Sequence, residues 1–310
     1  MQLKQPPSMD MKTIAMLLLL AAVWGGSFFF AEVALREVPP LTITLHRVFW
    51  AIPVLAFVVW FRKIPVPCSF RVWGSYLGMG ALNNAIPFSL IFWGQTQIDS
   101  GLASILNATT AMFGAVVAGV LLVDEPLTQK KIIGAGLGVL GVACIMGPEV
   151  ITGFSLGNMA QLAVIGAALS YAFAGVWGKL LLAEQPPLMN ALGMLIGSTV
   201  LMIPIVVAID GPPNMDLSLG VWGALLGLAT VSTVVAYVLY FAILAKSGAA
   251  NLMLVTLLIP PFAIGLGVLF LGERMELQAW VGFAVIALGF AVTDGRVFAR
   301  FSQKEHDSAQ

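Results

Sequence analysis

The sequence predicts an all-α integral membrane protein, with ten transmembrane helices arranged as two inverted five-helix repeats. Three observations predict this class. Of 310 residues, 59% are hydrophobic and only 10% are charged, against roughly 25% charged in a soluble domain. The mean hydropathy is +0.97. A proline motif and a register of Gly and Glu also recur 147 to 148 positions apart. A water-soluble fold of this length would lack the charge to cover itself, which excludes an ordinary cytosolic enzyme and a disordered chain. Lys plus Arg and Asp plus Glu each number 15, so no basic excess points to nucleic acid. Cys68 and Cys144 offer neither a disulfide framework nor a zinc spacing.

A span needs about 20 apolar residues. Ten spans with short turns consume the whole chain. They are placed at 13–35, 40–61, 73–97, 99–123, 130–147, 158–182, 187–209, 218–244, 247–271 and 278–296. Helices are required because lipid leaves no water to satisfy an open backbone, and the alternation of barrel strands is absent. The first run follows Lys12 as a signal peptide would. It continues to Leu35 with more spans directly after it, so it is read as uncleaved. Pro39-Pro40 and Pro186-Pro187 open spans 2 and 7, where a missing amide hydrogen costs nothing. Arg62-Lys63, Lys130-Lys131 and Gly211-Pro212-Pro213-Asn214 mark turns outside the bilayer. Residues 1–148 form the first repeat, 149–299 the second, and 300–310 a polar cytoplasmic tail expected to be disordered.

Orientation follows from the cations. With the N-terminus inside, 12 of the 15 Lys and Arg fall on the inner face, Arg36 and Arg274 fall outside, and Arg47 lies within span 2. Both termini are therefore expected in the cytoplasm, with the chain in the cell (inner) membrane. Leu35-x-Glu37-x-Pro39-Pro40-Leu41 recurs as Leu182-x-Glu184-x-Pro186-Pro187-Leu188, an offset of 147. Gly119, Glu125, Gly134 and Gly141 recur as Gly267, Glu273, Gly282 and Gly289, an offset of 148. Five spans per unit is odd, so the second copy enters the membrane upside down. Inverted copies can exchange conformations and open a shared site to either side, which favours a transporter.

These residues resemble the drug/metabolite transporter superfamily in its EamA branch. The resemblance rests on Trp24-Gly25-Gly26-Ser27-Phe28, on Pro39-Pro40 followed by Arg47, and on Gly101 to Thr110 leading to Glu125 and Gly134. In the second half it rests on Pro260-Pro261, Gly272-Glu273-Arg274 and Gly282. It implies a ten-helix exporter of small metabolites, often amino acids, and does not fix the substrate. Ala111-Met112 stand where the family often has a proline like Pro260, which predicts a straighter helix 4 than helix 9.

Inverted-repeat transporters bind near the midplane. Counting about 1.5 Å per residue places a set of candidate substrate-binding residues there. They are Trp24, Ser27, Asn83, Asn84, Thr110, Tyr171, Thr233, Tyr237, Thr256 and Pro260. Trp24 and Tyr171 are repeat equivalents, one aromatic from each half. Asn83 and Asn84 point about 100° apart on a helix, so two roles fit: binding a zwitterion, or bridging helices. Pro260-Pro261 should kink helix 9 and free carbonyls toward water. Glu32 and Arg47 both lie toward the outer face and are read as a structural ion pair, with Glu32 as a proton-coupling acid the sharper alternative. His46, beside Arg47, and His306 are far apart, no nucleophile–base cluster occurs, and no phosphate-binding P-loop is present, so neither an enzyme nor an ATPase is read. No cofactor or metal is expected. The partners are a small-molecule substrate and the bilayer, with a monomer sufficient. The expected function is secondary export of amino acids, including hydrophobic and aromatic ones. Proton-coupled efflux of lipophilic cations is the alternative, and a membrane scaffold or enzyme is the reading from another class.

Overall fold

The computed structural model describes residues 10–123, 125–146, 156–252 and 254–294, and every element among them is helical. Helix α1 is Met11–Ala34 and α2 is Pro40–Phe61. Helix α3 runs over 70–94 as Phe70–Gly80, a widened π turn Ala81–Ala85, and Ile86–Gly94. Helix α4 covers 100–121 as Ser100–Asn107 and Thr110–Leu121. Helices α5, α6 and α7 are Gln129–Met146, Leu156–Leu181 and Pro187–Ile209. Helix α8 covers 219–252 as Leu219–Leu226, a π segment Gly227–Val235, and Ala236–Leu252. Helix α9 covers 255–271 as Val255–Leu266 and a π turn Gly267–Leu271, and α10 is Leu277–Asp294. The boundary at 148/149 and the tail 300–310 lie outside the described residues.

Six helical stretches are long and apolar enough to cross a membrane: Met11–Ala34, Pro40–Phe61, Ser100–Leu121, Asn158–Leu181, Pro187–Ile209 and Leu219–Ser247. The outer surface suits lipid and not water. Trp60, Phe61 and Phe70 are 73%, 72% and 96% exposed, with no polar cover. Helices α2 and α7 begin at Pro40 and Pro187, as their proline pairs predict, because a first-turn residue has no intrahelical amide bond to lose.

Packing repeats as the sequence does. Helix α1 packs on α9 and α6 on α4; α3 packs on α6 and α8 on α1; α3 packs on α7 and α8 on α2. Exchanging α1–α5 for α6–α10 turns each pair into the other. The pairs α2–α7 and α5–α10 map onto themselves. The π segments of α3 and α8 obey the same exchange, since Ala81 and Ala85 plus 147 fall on Leu228 and Ser232. The ends can be told apart by contacts. Glu125 Oε1 pairs with Lys179 Nζ at 2.7 Å, near where Trp177 Nε1 donates to Ser75 O at 2.9 Å, at the start of α3. Glu273 accepts from Ser100 N at 2.9 Å and Gly101 N at 3.1 Å, just past the other end of α3. Glu125 and Glu273 thus occupy opposite ends of the bundle.

Two expectations are corrected. The predicted break between spans 8 and 9 at 245–246 is absent, and α8 continues to Leu252. Ser247, read as the start of span 9, lies inside α8, where its Oγ donates back to Ile243 O at 3.0 Å. Helix α4, expected to be straighter than α9, is the interrupted one, at Ala108–Thr109. Thr109 and Thr110 hydroxyls each donate to the carbonyl three residues back at 2.7 Å, which satisfies the loosened turn without any proline. Pro260 and Pro261 instead sit inside the continuous helix Val255–Leu266.

A tight crossing joins α3 to α7. A Cβ added at Gly80 would lie 2.6 Å from Ser198 N, and one at Gly197 would lie 2.7 Å from Tyr76 O. Both obstacles are backbone, so no side chain can move aside. Gly80→Val and Gly197→Val should each destabilise the bundle by about 1–3 kcal/mol, seen as a lower Tm of purified protein in detergent. Gly114→Val, in open space, should leave Tm unchanged.

Candidate functional site

The π turn of α3 has a local cause. Pro87 has no amide hydrogen for the carbonyl of Asn83, so the ladder slips there. Ser170 Oγ of α6 donates to Leu82 O at 2.7 Å. The widened turn presents Asn83 and Asn84 together. Asn84 is fully buried and donates to Ser198 Oγ of α7 at 2.9 Å; Ser198 donates on to Met194 O and Gly80 O. Tyr237 OH of α8 donates to Asn84 Oδ1 at 3.3 Å. Asn83 is half-buried, and its amide donates to Asn84 Oδ1, Tyr237 OH and Met194 Sδ at 3.3 to 3.5 Å. The two amides therefore differ: Asn84 is locked between helices, and Asn83 keeps partial access.

The π segment of α8 contains no proline. There hydroxyls take up the slack: Thr233 Oγ1 donates to Leu228 O five residues back, and Ser232 Oγ donates to Val23 O of α1. Into this segment reaches Arg47. Its Nε donates to Thr233 Oγ1 at 3.1 Å, one terminal nitrogen to Ser27 Oγ at 2.9 Å, and the other to Ser232 O at 3.4 Å. The Phe88 ring of α3 lies 3.8 Å from the guanidinium carbon. This geometry overturns the Glu32–Arg47 ion pair expected near the outer face. Arg47 starts about 10 Å along α2 from Pro40, and its long side chain reaches Thr233, about 21 Å along α8 from Leu219. Glu32 turns instead to Gln95 Nε2, 3.4 Å away, and Gln95 also donates to Phe28 O.

The other candidates divide. Trp24 sits against Tyr240 with ring centroids 5.9 Å apart. Tyr171 and Tyr237 are the titratable groups that interact electrostatically with Arg47. Pro260 is buried in α9, the helix whose Phe262 Cβ would lie 2.7 Å from a Cβ added at Gly25. Thr110 is occupied with Asn107 O on its own helix. Thr256 is half-buried and makes a contact of its own on α9. The structure thus joins Ser27, Thr233 and Arg47 in one network and Asn83, Asn84 and Tyr237 in another. Sequence reasoning missed Ser198, Phe88 and Tyr240, which carry no signal beyond hydrophobicity or a lone hydroxyl. It had a signal for Arg47, a charge seven residues inside a span, and assigned it the wrong partner.

One end of the bundle is acidic. Asp99 precedes α4 beside Glu273, and burial together with that neighbouring carboxylate holds its carboxyl above the usual range. Glu273 reaches the α4 N-terminus because Gly272, at φ 72, turns the chain left-handed after the π turn. Glu37, at the same end, accepts from Ser218 N at 2.8 Å at the start of α8, and the Ser218 hydroxyl together with that amide holds its carboxyl below its ordinary value.

A helical bundle with an apolar exterior and two polar networks drawn from both halves defines a multi-pass membrane transporter. The chain belongs to the EamA-like transporter family, which matches it twice, over 11–147 and 158–293. A probable amino-acid metabolite efflux pump of Escherichia coli K12 is 26% identical over 297 residues, covering 92% of this chain and 95% of its own. The uncharacterized transporter YoaV of Bacillus subtilis 168 is 24% identical over 268 residues, covering 86% and 91%. A solved crystal structure, 17% identical, shares the fold with a TM-score of 0.65 over 91% of this chain and 96% of that one.

Asn84 and Ser198 allow a direct energetic test of the bridge. In a double-mutant cycle, Asn84→Ala and Ser198→Ala should couple by about 0.6 kcal/mol in reversible unfolding, the average for an interhelical bond in lipid. Strict additivity would show that the contact contributes nothing.

Proposed function

We propose that this protein exports small metabolites, most plainly amino acids including hydrophobic and aromatic ones, by alternating access. Ten spans form two inverted five-helix repeats that rock about a midplane site, with both termini cytoplasmic in the cell membrane and a monomer sufficient. The observation that carries this reading is the pair of polar networks at equivalent π segments of α3 and α8. π turns inside α-helices are enriched at functional sites. The exchange-symmetric packing and the opposite placement of Glu125 and Glu273 support inversion. A relative described as a probable amino-acid metabolite efflux pump supports the substrate class.

The test is counterflow in proteoliposomes against a panel of amino acids and cationic dyes. Amino acids should exchange and dyes should not. Trp24→Ala and Asn83→Ala should raise KM for the exchanged amino acid, and unchanged kinetics in both would move the site elsewhere. Cysteines placed at Glu125 and Glu273 should label from opposite sides of the bilayer; labelling from one side would remove the inverted arrangement.

A second reading, proton-coupled efflux of lipophilic cations, is favoured by one observation. Glu32 is half-buried in α1 and interacts electrostatically with Asp99 and Glu273. That reading requires Glu32→Gln to abolish transport. We expect Glu32→Gln to retain amino-acid exchange, measured in the same vesicles.

A further inference from the structure

We propose that Arg47 is the carboxylate-binding subsite of the transporter and sets its preference for substrates bearing one carboxylate. This rests on the export reading above and names the part of the substrate that the protein recognises.

The argument begins with charge. Arg47 is 6% exposed and permanently cationic. An ionised group in a membrane bundle is costly unless an opposite charge or an aqueous site receives it. Among the described residues Arg47 has no carboxylate partner. Its three hydrogen bonds end on neutral oxygens, those of Ser27, Thr233 and Ser232. Glu32 bonds Gln95 and interacts with Glu273, Asp99 and Arg36, not with Arg47. Among the described residues Tyr171 and Tyr237 are the titratable groups that act on Arg47, and an unperturbed phenol is neutral near pH 7. Among the described residues Arg47 is therefore a buried positive charge with no anion bonded to it.

Geometry gives that charge a purpose. A guanidinium has five N–H groups, and these three bonds leave two without an acceptor among the described residues. Phe88 covers one flat face at 3.8 Å, which leaves the fork edge as the place for a ligand. A planar fork takes both oxygens of a carboxylate, and a single ammonium would not. Ser27 and Thr233 hold the fork from α1 and α8, so the group is set before a ligand arrives. The repeat makes the site one-sided. The position equivalent to Arg47 is Met194, whose neutral sulfur receives Asn83. One half thus supplies an anion subsite, and the other supplies the amide and phenol oxygens of Asn83 and Tyr237, which can accept from an ammonium. The same charge repels lipophilic cations.

The test compares amino acids with their own amides. Full-length protein in proteoliposomes is assayed for counterflow of leucine against leucinamide and phenylalanine against phenylalaninamide. Wild type should exchange the acids at least about tenfold better than the amides. Arg47→Gln, which can still donate to Ser27, should lose that ratio and exchange acid and amide alike. If Arg47→Gln is not recovered as monodisperse protein, Arg47→Lys decides. A point charge in place of the fork should keep the acid preference with a raised KM for the acid, and an unchanged KM would overturn the assignment. Equal exchange of acid and amide by wild type overturns it without any variant. So does full acid selectivity in Arg47→Gln. Exchange without discrimination defeats this inference alone, whereas no exchange of any pair defeats the amino-acid reading with it.

Discussion

Hydrocarbon offers a polar group no partner, and this constraint organises the bundle. Where the α-helical ladder runs unbroken, the backbone satisfies itself. Where it slips, another group must step in. At α3 the slip is forced by Pro87, and Ser170 answers with a hydroxyl on Leu82 O. At α8 there is no proline, and Thr233 answers within its own helix. At α4 it is Thr109 and Thr110 that answer. These three irregular turns are each met by a Ser or Thr, whereas the π turn of α9 is closed by the backbone, Glu273 N donating to Gly267 O at 3.1 Å. The hydroxyls at the centre, those of Ser27 and Thr233, then have oxygens free to receive Arg47.

The backbone is close to symmetric and the chemistry is not. Helices pack in pairs that survive exchange of the halves, and the π segments coincide under the same exchange. At the equivalent positions the side chains diverge: Arg47 against Met194, Asn83 against Thr230, Trp24 against Tyr171. Symmetric packing lets two conformations have similar energies, because each half can adopt the arrangement of the other. Asymmetric side chains let a single site distinguish the two ends of one substrate. A fully symmetric chamber would bind a zwitterion in either direction.

The sequence carried the fold in its composition, proline pairs and repeats. Pro40 and Pro187 open helices at the positions expected, because proline acts locally. The failures arose where tertiary partners decide. The break placed at 245–246 is absent, and Ser247 Oγ bonds Ile243 O within a helix that runs on to Leu252. Thr109 reads as ordinary helix, yet its hydroxyl helps to break one. Within the site, depth counting named Ser27, Asn83, Asn84 and Thr233, and the structure places Ser27 and Thr233 in one network and Asn83 and Asn84 in another. Depth counting misplaced Arg47 because it locates a Cα, whereas the guanidinium works well away from its own. Partner choice was illegible for the same reason: Phe88 and Ser198 become neighbours only through helix packing.

Arg47 also bears on how the halves can move. Its bonds tie α2 to α1 and α8, and Phe88 adds α3. Any rocking of one repeat against the other must carry this group with α1, or trade the hydroxyls of Ser27 and Thr233 for other oxygens. A buried charge stripped of its partners is expensive, so the empty site resists separation of those helices. A bound carboxylate supplies two anionic oxygens and removes much of that expense. The residue that would recognise the substrate is therefore also the one whose desolvation penalty the substrate relieves. On this view binding and movement are coupled through one electrostatic term, without a separate gate.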